Sequence, residues 1–477
     1  MFGVHRIGLR IALLLALLPA AASGSEPQPA SPASACPPQA FRWLEDCHAP
    51  AVKTSELRGI DRLRYVPLST EGSVWLTFGG EYRLRSEHIA DPAFGLRATP
   101  DFTATGHRAL FHADWRSLNG PRLFVQLSAA AEEGRKPLER GFDASAVDLA
   151  QAFVDLPLGG SSRFATLRIG RQELNLFGNR LVGTRDAASL RRAFDAIELD
   201  LTLPGARVLL FGGHPVRNRQ GAFDDAATPG ERLFGASVRA VLNRPETIPQ
   251  GTTPRTLDVF LFDRQRPAAL YQDVRGPERR RTLGARLSEI RGAFDFAVQG
   301  AGQWGEIAGL DIRAWGFAGD VGFRAATPWR PRLGASFGYA SGDRRAADGT
   351  LGTFDVLYPN LGYFTDAPTY YPGNSWDIQP NVTLQPLSTL SWQTGSDFAF
   401  RVTNRDAIYE PPGIVLVPAT GSGDRFAAIL AYTKLTWRPT PRIECVGSFV
   451  RAYARDAIEA QGGREQTFWL AQATAKF

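Results

Sequence analysis

The chain has 477 residues, 44% of them hydrophobic and 21% charged, and a formal net charge of +6. A mean hydropathy of −0.18, and no run of about 18 apolar residues after the N-terminal one, exclude a bundle of membrane-spanning helices. Three cysteines with no CxxC pair and no Cys/His cluster argue against a structural metal, and neither a metal nor a cofactor is expected.

In chain order, the first element is an export signal. His5, Arg6 and Arg10 precede the short apolar run Ile11 to Leu18, and Pro19 followed by Ala20, Ala21, Ala22, Ser23 and Gly24 makes a small-residue cleavage zone. Eight apolar residues are too few for a membrane anchor, so residues 1–24 read as a signal peptide, cleaved between Ala22 and Ser25. Residues 25–72 then form a periplasmic segment that opens with a Pro-, Ala- and Ser-rich tail. Cys36 and Cys47 fall in it, and after export they suit a disulfide closing a small loop, while Cys445 has no evident partner.

From residue 73 to Phe477 the pattern changes to short alternating runs separated by turn residues, with no linker and no sustained helical period. Phe78, Tyr82 and Leu84 alternate with Glu81, Arg83 and Arg85, and Ala109, Phe111, Ala113 and Trp115 with Arg108, His112, Asp114 and Arg116. Leu123, Val125 and Leu127 oppose Phe124, Gln126 and Ser128; Ala152, Val154 and Leu156 oppose Gln151, Phe153 and Asp155; Leu167 and Ile169 oppose Arg168. Farther on, Phe234, Ala236 and Val238 oppose Ser237 and Arg239, Leu283 and Leu287 oppose Arg286, and Leu333, Phe337 and Tyr339 oppose Arg332 and Ser336. For Asp311 to Phe323 the two faces cannot be told apart. The last run sets Trp469, Ala471, Ala473, Ala475 and Phe477 against Gln472, Thr474 and Lys476, and a terminal strand ending in Phe resembles the close of bacterial outer-membrane proteins.

The count is about eighteen strands, with sixteen as the alternative even number. Connections alternate between short turns (119–121, 157–162, 203–205, 292, 439–441) and long segments (88–105, 132–146, 216–230, 265–279, 343–373, 402–423) rich in Gly, Pro, Asp and Arg. A propeller would repeat every 40–50 residues or so, which is not seen, and neither a propeller nor stacked sandwiches account for the two chain ends. The fold class is therefore all-β: an up-and-down antiparallel barrel over residues 73–477 in the outer membrane, in contact with its lipid.

Function then lies on the polar face, which encloses an aqueous lumen in a barrel of this size. Of the 54 basic residues only four are Lys, leaving 50 Arg, and Arg83, Arg85, Arg108, Arg116, Arg168, Arg239, Arg286 and Arg401 fall on inward positions. Guanidinium is permanently charged and grips carboxylates with two bonds, so such a lumen selects anions. Glu81, Asp114, Asp155, Glu198 and Asp258 interrupt it, either as structural partners of the arginines or as breaks in a ladder of anion sites.

At this point the chain resembles a family. Phe78-Gly-Gly-Glu-Tyr-Arg83, Ala109 to Arg116, Phe124 to Leu127, Asp148 to Asp155, Arg168 to Glu173, Leu190 to Asp195, Gly221 to Asp225 and Thr353-Phe354 with Tyr358-Pro-Asn360 together resemble the alginate export family of outer-membrane barrels, from about residue 64 onward. The resemblance implies eighteen strands and passage of an anionic uronate polysaccharide, with periplasmic secretion partners in attendance. An anion-preferring porin for small acidic solutes is the alternative. No long periplasmic turn offers itself as a plug; the loop 343–373, with Tyr370, Tyr371 and Trp376 at its far end, is the candidate constriction, because aromatic rings stack on sugars. A single wide pore needs no trimer, so a monomer is expected, and no nucleic acid partner.

Two motifs point elsewhere. Gly300-Ala-Gly-Gln-Trp-Gly305 spells GxGxxG, but a dinucleotide site needs a helix to start there, and the sequence continues without helical period. Gly334-Ala-Ser-Phe-Gly338 spells GxSxG, but Ser336 reads as mid-strand and no histidine is an evident partner; an outer-membrane hydrolase is the minor alternative, and no enzyme is expected.

Overall fold

The computed structural model describes residues 58–477 other than 136–139, 160–163, 244–252, 273, 346 and 361–363. The segment read as a signal peptide, residues 1–24, and the expected Cys36–Cys47 pair lie outside the described residues.

Eighteen long antiparallel strands form the barrel: β1 (Val74–Ala90), β2 (Phe102–Ser117), β3 (Arg122–Glu133), β4 (Ser145–Leu158), β5 (Ala165–Gln172), β6 (Phe194–Leu203), β7 (Ala206–Arg217), β8 (Arg232–Val241) and β9 (Thr253–Tyr271). They continue as β10 (Val274–Arg291), β11 (Phe294–Ile307), β12 (Leu310–Arg324), β13 (Arg332–Ala340), β14 (Ser375–Leu387), β15 (Leu390–Arg401), β16 (Phe426–Thr440), β17 (Ile443–Ala454) and β18 (Gln466–Lys476). Each pairs with its neighbour in sequence, and β18 closes on β1 from Glu81 opposite Lys476 to Ala90 opposite Thr467. Closure leaves no strand edge, the condition for a sheet surrounded by lipid.

The alternation of the sequence sets which face is which. Tyr82, Leu84, Phe111, Leu123, Ile169, Phe234, Leu283 and Leu333 are exposed on the outer surface, and Glu81, Arg83, Arg108, Asp114, Asp155 and Arg168 are buried on the inner one. In β12, where the sequence is ambiguous, Trp315, Phe317, Val321 and Phe323 face out and Ile312 and Ala314 face in. The inward face there is apolar because loop residues cover it, so polarity could not mark the sides. Exposed aromatics gather near both ends of the strands, Trp304, Trp315, Trp376 and Trp469 toward one rim and Phe294, Phe323, Trp392 and Trp437 toward the other. Two such girdles mark the levels of the lipid headgroups.

One rim carries short turns such as 118–121, 292–293 and 388–389; the other carries loops L1 (91–101), L2 (134–144), L3 (173–193), L4 (218–231), L7 (341–374), L8 (402–425) and L9 (455–465). By the usual asymmetry the first rim is periplasmic and the second extracellular. Residues 58–67 sit at the periplasmic end, where Val66 and Pro67 pair with Leu76 and Trp75. Phe477 lies there too, its amide donating to the Gly80 carbonyl at 3.2 Å, and its ring occupies the space a side chain at Gly80 would need. The assignment predicts that a single cysteine at Glu459 in L9 reacts with an impermeant maleimide on intact cells. One at Asn119 should react only after permeabilisation, in a background lacking Cys36, Cys47 and Cys445. Equal labelling of both would reverse or void the orientation.

One long segment is corrected. Residues 265–279 are not a loop: β9 runs on to Tyr271 and β10 starts at Val274, paired with it. The segment's arginines read as loop composition, but Arg266, together with Arg264 and Arg280 just outside the segment, is bonded to Glu278 in an ion network on the strands.

The extracellular half of the lumen is filled by L3, L7 and L8. Phe94, Phe102, Tyr370, Ile408, Val417, Leu430, Ile458 and Phe468 form one buried apolar cluster there, and Phe177, Val182, Phe194, Phe260, Phe262, Val356, Tyr371 and Tyr409 a second. Each large side chain so buried contributes roughly 1.5–3 kcal/mol, which is how loops of 21 and 34 residues are held inside a barrel rather than waving above it.

Candidate functional site

L3 is the element that builds the site. It leaves β5 after Gln172 and turns back at Phe177, Gly178 and Asn179, whose φ values are 50°, 77° and 64°. Only glycine and asparagine take this left-handed backbone cheaply, and the strain at Phe177 is offset by its ring stacking on Phe260 at 4.7 Å between centroids. The strand-like stretch that follows pairs with L7: the Tyr358 amide donates to the Leu181 carbonyl at 2.8 Å, and the Gly183 amide to the Tyr358 carbonyl at 2.9 Å. Arg192 locks the junction by donating to the carbonyls of Gly183, Tyr358 and Pro359.

The tip of L3 then reaches β1 and β2. Arg83 donates to the carbonyls of Asp186 and Ala188, each at 2.5 Å. Arg108 pairs with the Glu81 carboxylate at 2.5 Å and lies 3.2 Å from that of Asp186. Arg191, within L3, pairs with Asp186 at 2.6 Å and approaches Glu81 at 3.5 Å and Glu173 at 3.7 Å. Burial works against the Arg191 charge, but Asp186, Glu81 and Glu173 outweigh it and hold its pKa above the ordinary arginine value. Arg191 is thus both structural and charged.

Below the L3 tip lies a cavity of about 390 Å³. Six basic side chains line it (Arg83, Arg108, Arg191, Arg438, Arg442 and Lys476) against three acidic ones (Glu81, Asp186 and Glu444). Arg438 and Arg442 stand at the periplasmic end, paired with Glu444 at 2.7 Å and Asp61 at 2.5 Å. Because Arg83 spends its bonds on neutral carbonyls, its charge stays available to the cavity. A low-dielectric wall around such an imbalance concentrates anions.

The other arginines singled out in the sequence also lie on the inner wall, mostly in pairs. Arg85 bonds Glu87 at 3.0 Å and Gln472; Arg116 and Arg122 share Asp114 at 2.9 and 2.8 Å; Arg168 holds Asp155 through two bonds of 2.5 and 2.7 Å, with Glu198 at 3.9 Å. Arg239 pairs with Asp258 at 2.5 Å and Arg286 with the same carboxylate at 3.7 Å, while Arg401 donates to the carbonyls of Ser422 and Asp424. The inward carboxylates therefore act as partners of the arginines. Of the predicted arginines only Arg83 and Arg108 line the basic cavity.

The constriction residues fare differently. Tyr370 and Tyr371 are buried in the two apolar clusters, so their rings pack loops and offer no open face to a sugar. Trp376 is corrected outright: it opens β14, is 38% exposed on the outer surface and stacks on Phe400 at 4.1 Å, away from the lumen. Sequence reasoning missed L3 and its Arg191 and Arg192, and also Arg438 and Arg442. The signal available was a stretch of about twenty residues after Gln172 with Gly178, Asn179 and Gly183 and no period-two alternation.

The two motifs of other classes dissolve. Gly300 to Gly305 lies inside β11 and no helix follows it. Ser336 lies inside β13, and its hydroxyl donates to Asp320 at 2.8 Å, with no histidine bonded to it among the described residues. An acceptor carboxylate without an imidazole does not make the hydroxyl a nucleophile. Ser336→Ala is accordingly expected to leave ester hydrolysis by the purified protein at the buffer rate, unchanged from wild type. A serine-dependent turnover would revive the hydrolase reading.

A sequence model described as alginate export matches residues 74–471. No curated protein sequence matches the chain. Among solved structures, Acinetobacter baumannii OccAB1 is similar at 11% identity with a TM-score of 0.57, over 84% of this chain and 96% of that one. Pseudomonas aeruginosa OccK2 (OpdF), described in complex with glucuronate, is similar at 11% identity and a TM-score of 0.56, over 84% and 98% of the two chains. Pseudomonas aeruginosa OpdK with vanillate gives 12%, 0.53, 84% and 99%. At such identities these structures share the fold alone.

Proposed function

This chain belongs to the alginate export family of bacterial outer-membrane barrels, and from that premise we propose that it is a channel passing an anionic, uronate-type polysaccharide through its arginine-lined lumen. The observation that carries the proposal is the cavity beneath L3, where six basic side chains meet three acidic ones at the periplasmic half of the lumen. A uronate chain carries one carboxylate per sugar. Arg438 and Arg442 offer it guanidinium donors in succession, Arg83 adds its charge, and the neighbouring acids keep any one contact from holding it. Transport of this kind needs no covalent chemistry, and no catalytic residue is assigned.

A second reading, a porin for small acidic solutes, is favoured by the inward folding of L3, L7 and L8, which narrows the extracellular half. It also draws support from two barrels of the same fold described with glucuronate and vanillate. Single-channel recording in a planar bilayer separates the two. Anion preference with block by oligouronates is expected for the polysaccharide channel. Anion preference without block would favour the small-solute porin, and the lack of any conductance would defeat both.

Residues 1–24 as a signal peptide and 25–72 as a periplasmic segment remain part of the proposal. Support comes from Asp61, which pairs with Arg442 at the periplasmic mouth.

A further inference from the structure

The outer wall is apolar where lipid covers it, and near the extracellular rim one part of it is not. Strand register sets Arg281 of β10 opposite Trp304 of β11, and Trp304 opposite Arg313 of β12. All three face outward, on the same strand faces as Leu283 and Trp315, and Trp304 and Trp315 are 40% and 50% exposed. Opposed residues on one face stand about 5 Å apart at Cβ, so the two guanidinium side chains and the indole between them spring from a single row at the level of the aromatic girdle.

The outward positions of β11 also give a use to the glycines that no dinucleotide site accounts for. Toward the middle of the membrane from Trp304 they are Gly302 and Gly300. Gly302 lies between Leu283 and Trp315, and Gly300 between Ala285 and Phe317. A side chain at Gly302 would meet nothing within 4 Å. The wall is therefore notched beneath the indole, with Leu283 on one side and the Trp315 ring, stacked on Tyr339 at 4.3 Å, on the other. In lipid the filler of such a notch is an acyl chain.

Above the notch the charges are unevenly spent. Arg281 approaches Asp263 at 3.3 Å, but Arg279 holds that carboxylate more closely, at 2.7 Å. Arg313 is 74% exposed, and its ion pair with Asp311, at 3.2 Å, uses one Nη. A guanidinium has five N–H donors, so most of those on Arg281 and Arg313 are left for a ligand. Asp263 stands beyond Arg281 in the same row, and Glu306 and Asp311 one row farther from the membrane. L7 brings Arg344 to 3.5 Å from the Tyr339 hydroxyl. An anionic head settling at the indole thus meets guanidinium groups on both sides.

Arginine grips phosphate through two parallel bonds. Two guanidinium groups two strands apart, about 10 Å, suit a head with an anionic group at each end. The indole between them suits a sugar ring, and the notch an acyl chain. We propose that this patch binds the phosphorylated glycolipid of the outer leaflet, lipid A, with its phosphates on Arg281 and Arg313, its sugars against Trp304 and one acyl chain in the Gly300–Gly302 notch. A phospholipid, with a single phosphodiester and no sugar, engages only half of it.

Native mass spectrometry of the full purified barrel in detergent tests this, with bis-phosphoryl lipid A, its monophosphoryl form and phosphatidylglycerol as probes. Expected is one tightly held bis-phosphoryl lipid A per barrel, with half-saturation about tenfold below that of the other two lipids, the effect of one charge-assisted pair. Arg281→Gln with Arg313→Gln should abolish that preference. Single-channel conductance of the same variant should match wild type, because both side chains face away from the lumen. Gly302→Leu, which fills the notch without touching a charge, should weaken lipid A as well. Arg451→Gln with Arg455→Gln removes the same charge from β17 and L9, elsewhere on the rim, and should leave binding at the wild-type level. Equal binding of the three lipids by the wild type, wild-type binding in Arg281→Gln with Arg313→Gln, or equal loss in the two double variants would overturn the site and leave a row of solvated surface ion pairs.

Discussion

Exchanging Arg83 for Gln and Arg438 and Arg442 for Glu is expected to turn an anion-preferring conductance into a cation-preferring one. The cavity beneath L3 would change from six basic and three acidic side chains to three basic and five acidic. Gln is chosen at Arg83 because its amide can still donate to the Asp186 or Ala188 carbonyl and keep the tip of L3 in place, whereas Glu would repel both. Arg438 and Arg442 stand at the mouth, and their replacement also frees Glu444 and Asp61 to add to the negative field. Potentials of a few kT in a focused cleft correspond to about a tenfold change in the ratio of anion to cation permeability. The reversal potential in a salt gradient reads this directly. The shift should be larger near 0.1 M salt, where screening extends over about 10 Å, than near 1 M, where it is about 3 Å. A reversal potential that stays at the wild-type value would mean that ions bypass this cavity, and the proposed path would be wrong.

The second large effect concerns L7. Asp355 is the loop's anchor: it accepts from Arg264 at 3.0 Å, from Arg266 at 3.1 Å and from the Tyr271 hydroxyl at 2.5 Å, while Glu278 also accepts from both arginines. Arg264 and Arg280 are almost wholly buried, at 1% and 0% exposure. Asp355→Ala leaves Glu278 as the carboxylate for three arginines, and breaking a buried pair in this way costs about 3–5 kcal/mol. Since the barrel strands are held by their own ladders, the cost should fall on the loop. L7 is expected to leave the lumen, become open to protease, and raise the single-channel conductance. Retained protection of 341–374 with unchanged conductance would show that the apolar clusters alone hold the loop.

The same anchor has a defined response to pH. Although burial disfavours the Asp355 charge, Arg264, Arg266 and Arg280 outweigh it and hold the carboxyl far below the usual carboxylate range. A carboxyl with a depressed folded-state pKa contributes fully above its unfolded value of about 4, and the contribution is lost as pH falls through the lower folded value. Protease protection of L7 should therefore be level from neutral pH down to about pH 4. Release near pH 6 would assign the latch to another group.

Much of this protein could be read along the chain. The period-two alternation through Glu81, Arg83 and Arg85 fixes an inward and an outward face, since neighbouring strand residues point to opposite sides. Where the inward face is itself apolar, as at Ile312 and Ala314, that signal vanishes, and only the loops packed over it explain the choice. Arginines paired across adjacent strands, such as Arg168 with Asp155, are likewise local facts of register. Composition misled where charge was stacked in pairs: residues 265–279 look like loop and are strand.

The site itself belongs to a different order of contact. Arg83 meets Ala188 across 105 positions and Arg185 meets Asn360 across 175, and both contacts depend on loops that turn into the barrel. Closing a loop grows costlier only with the logarithm of its length, so sequence separation neither forbids nor announces such pairs. The chain determines the barrel, its faces and its store of arginine, because those rest on neighbours one or two residues or one strand away. Which arginines keep a free charge in the lumen, and which spend it on a carboxylate, was decided by how L3, L7 and L8 pack inside the closed wall, where burial and charge partners are set together.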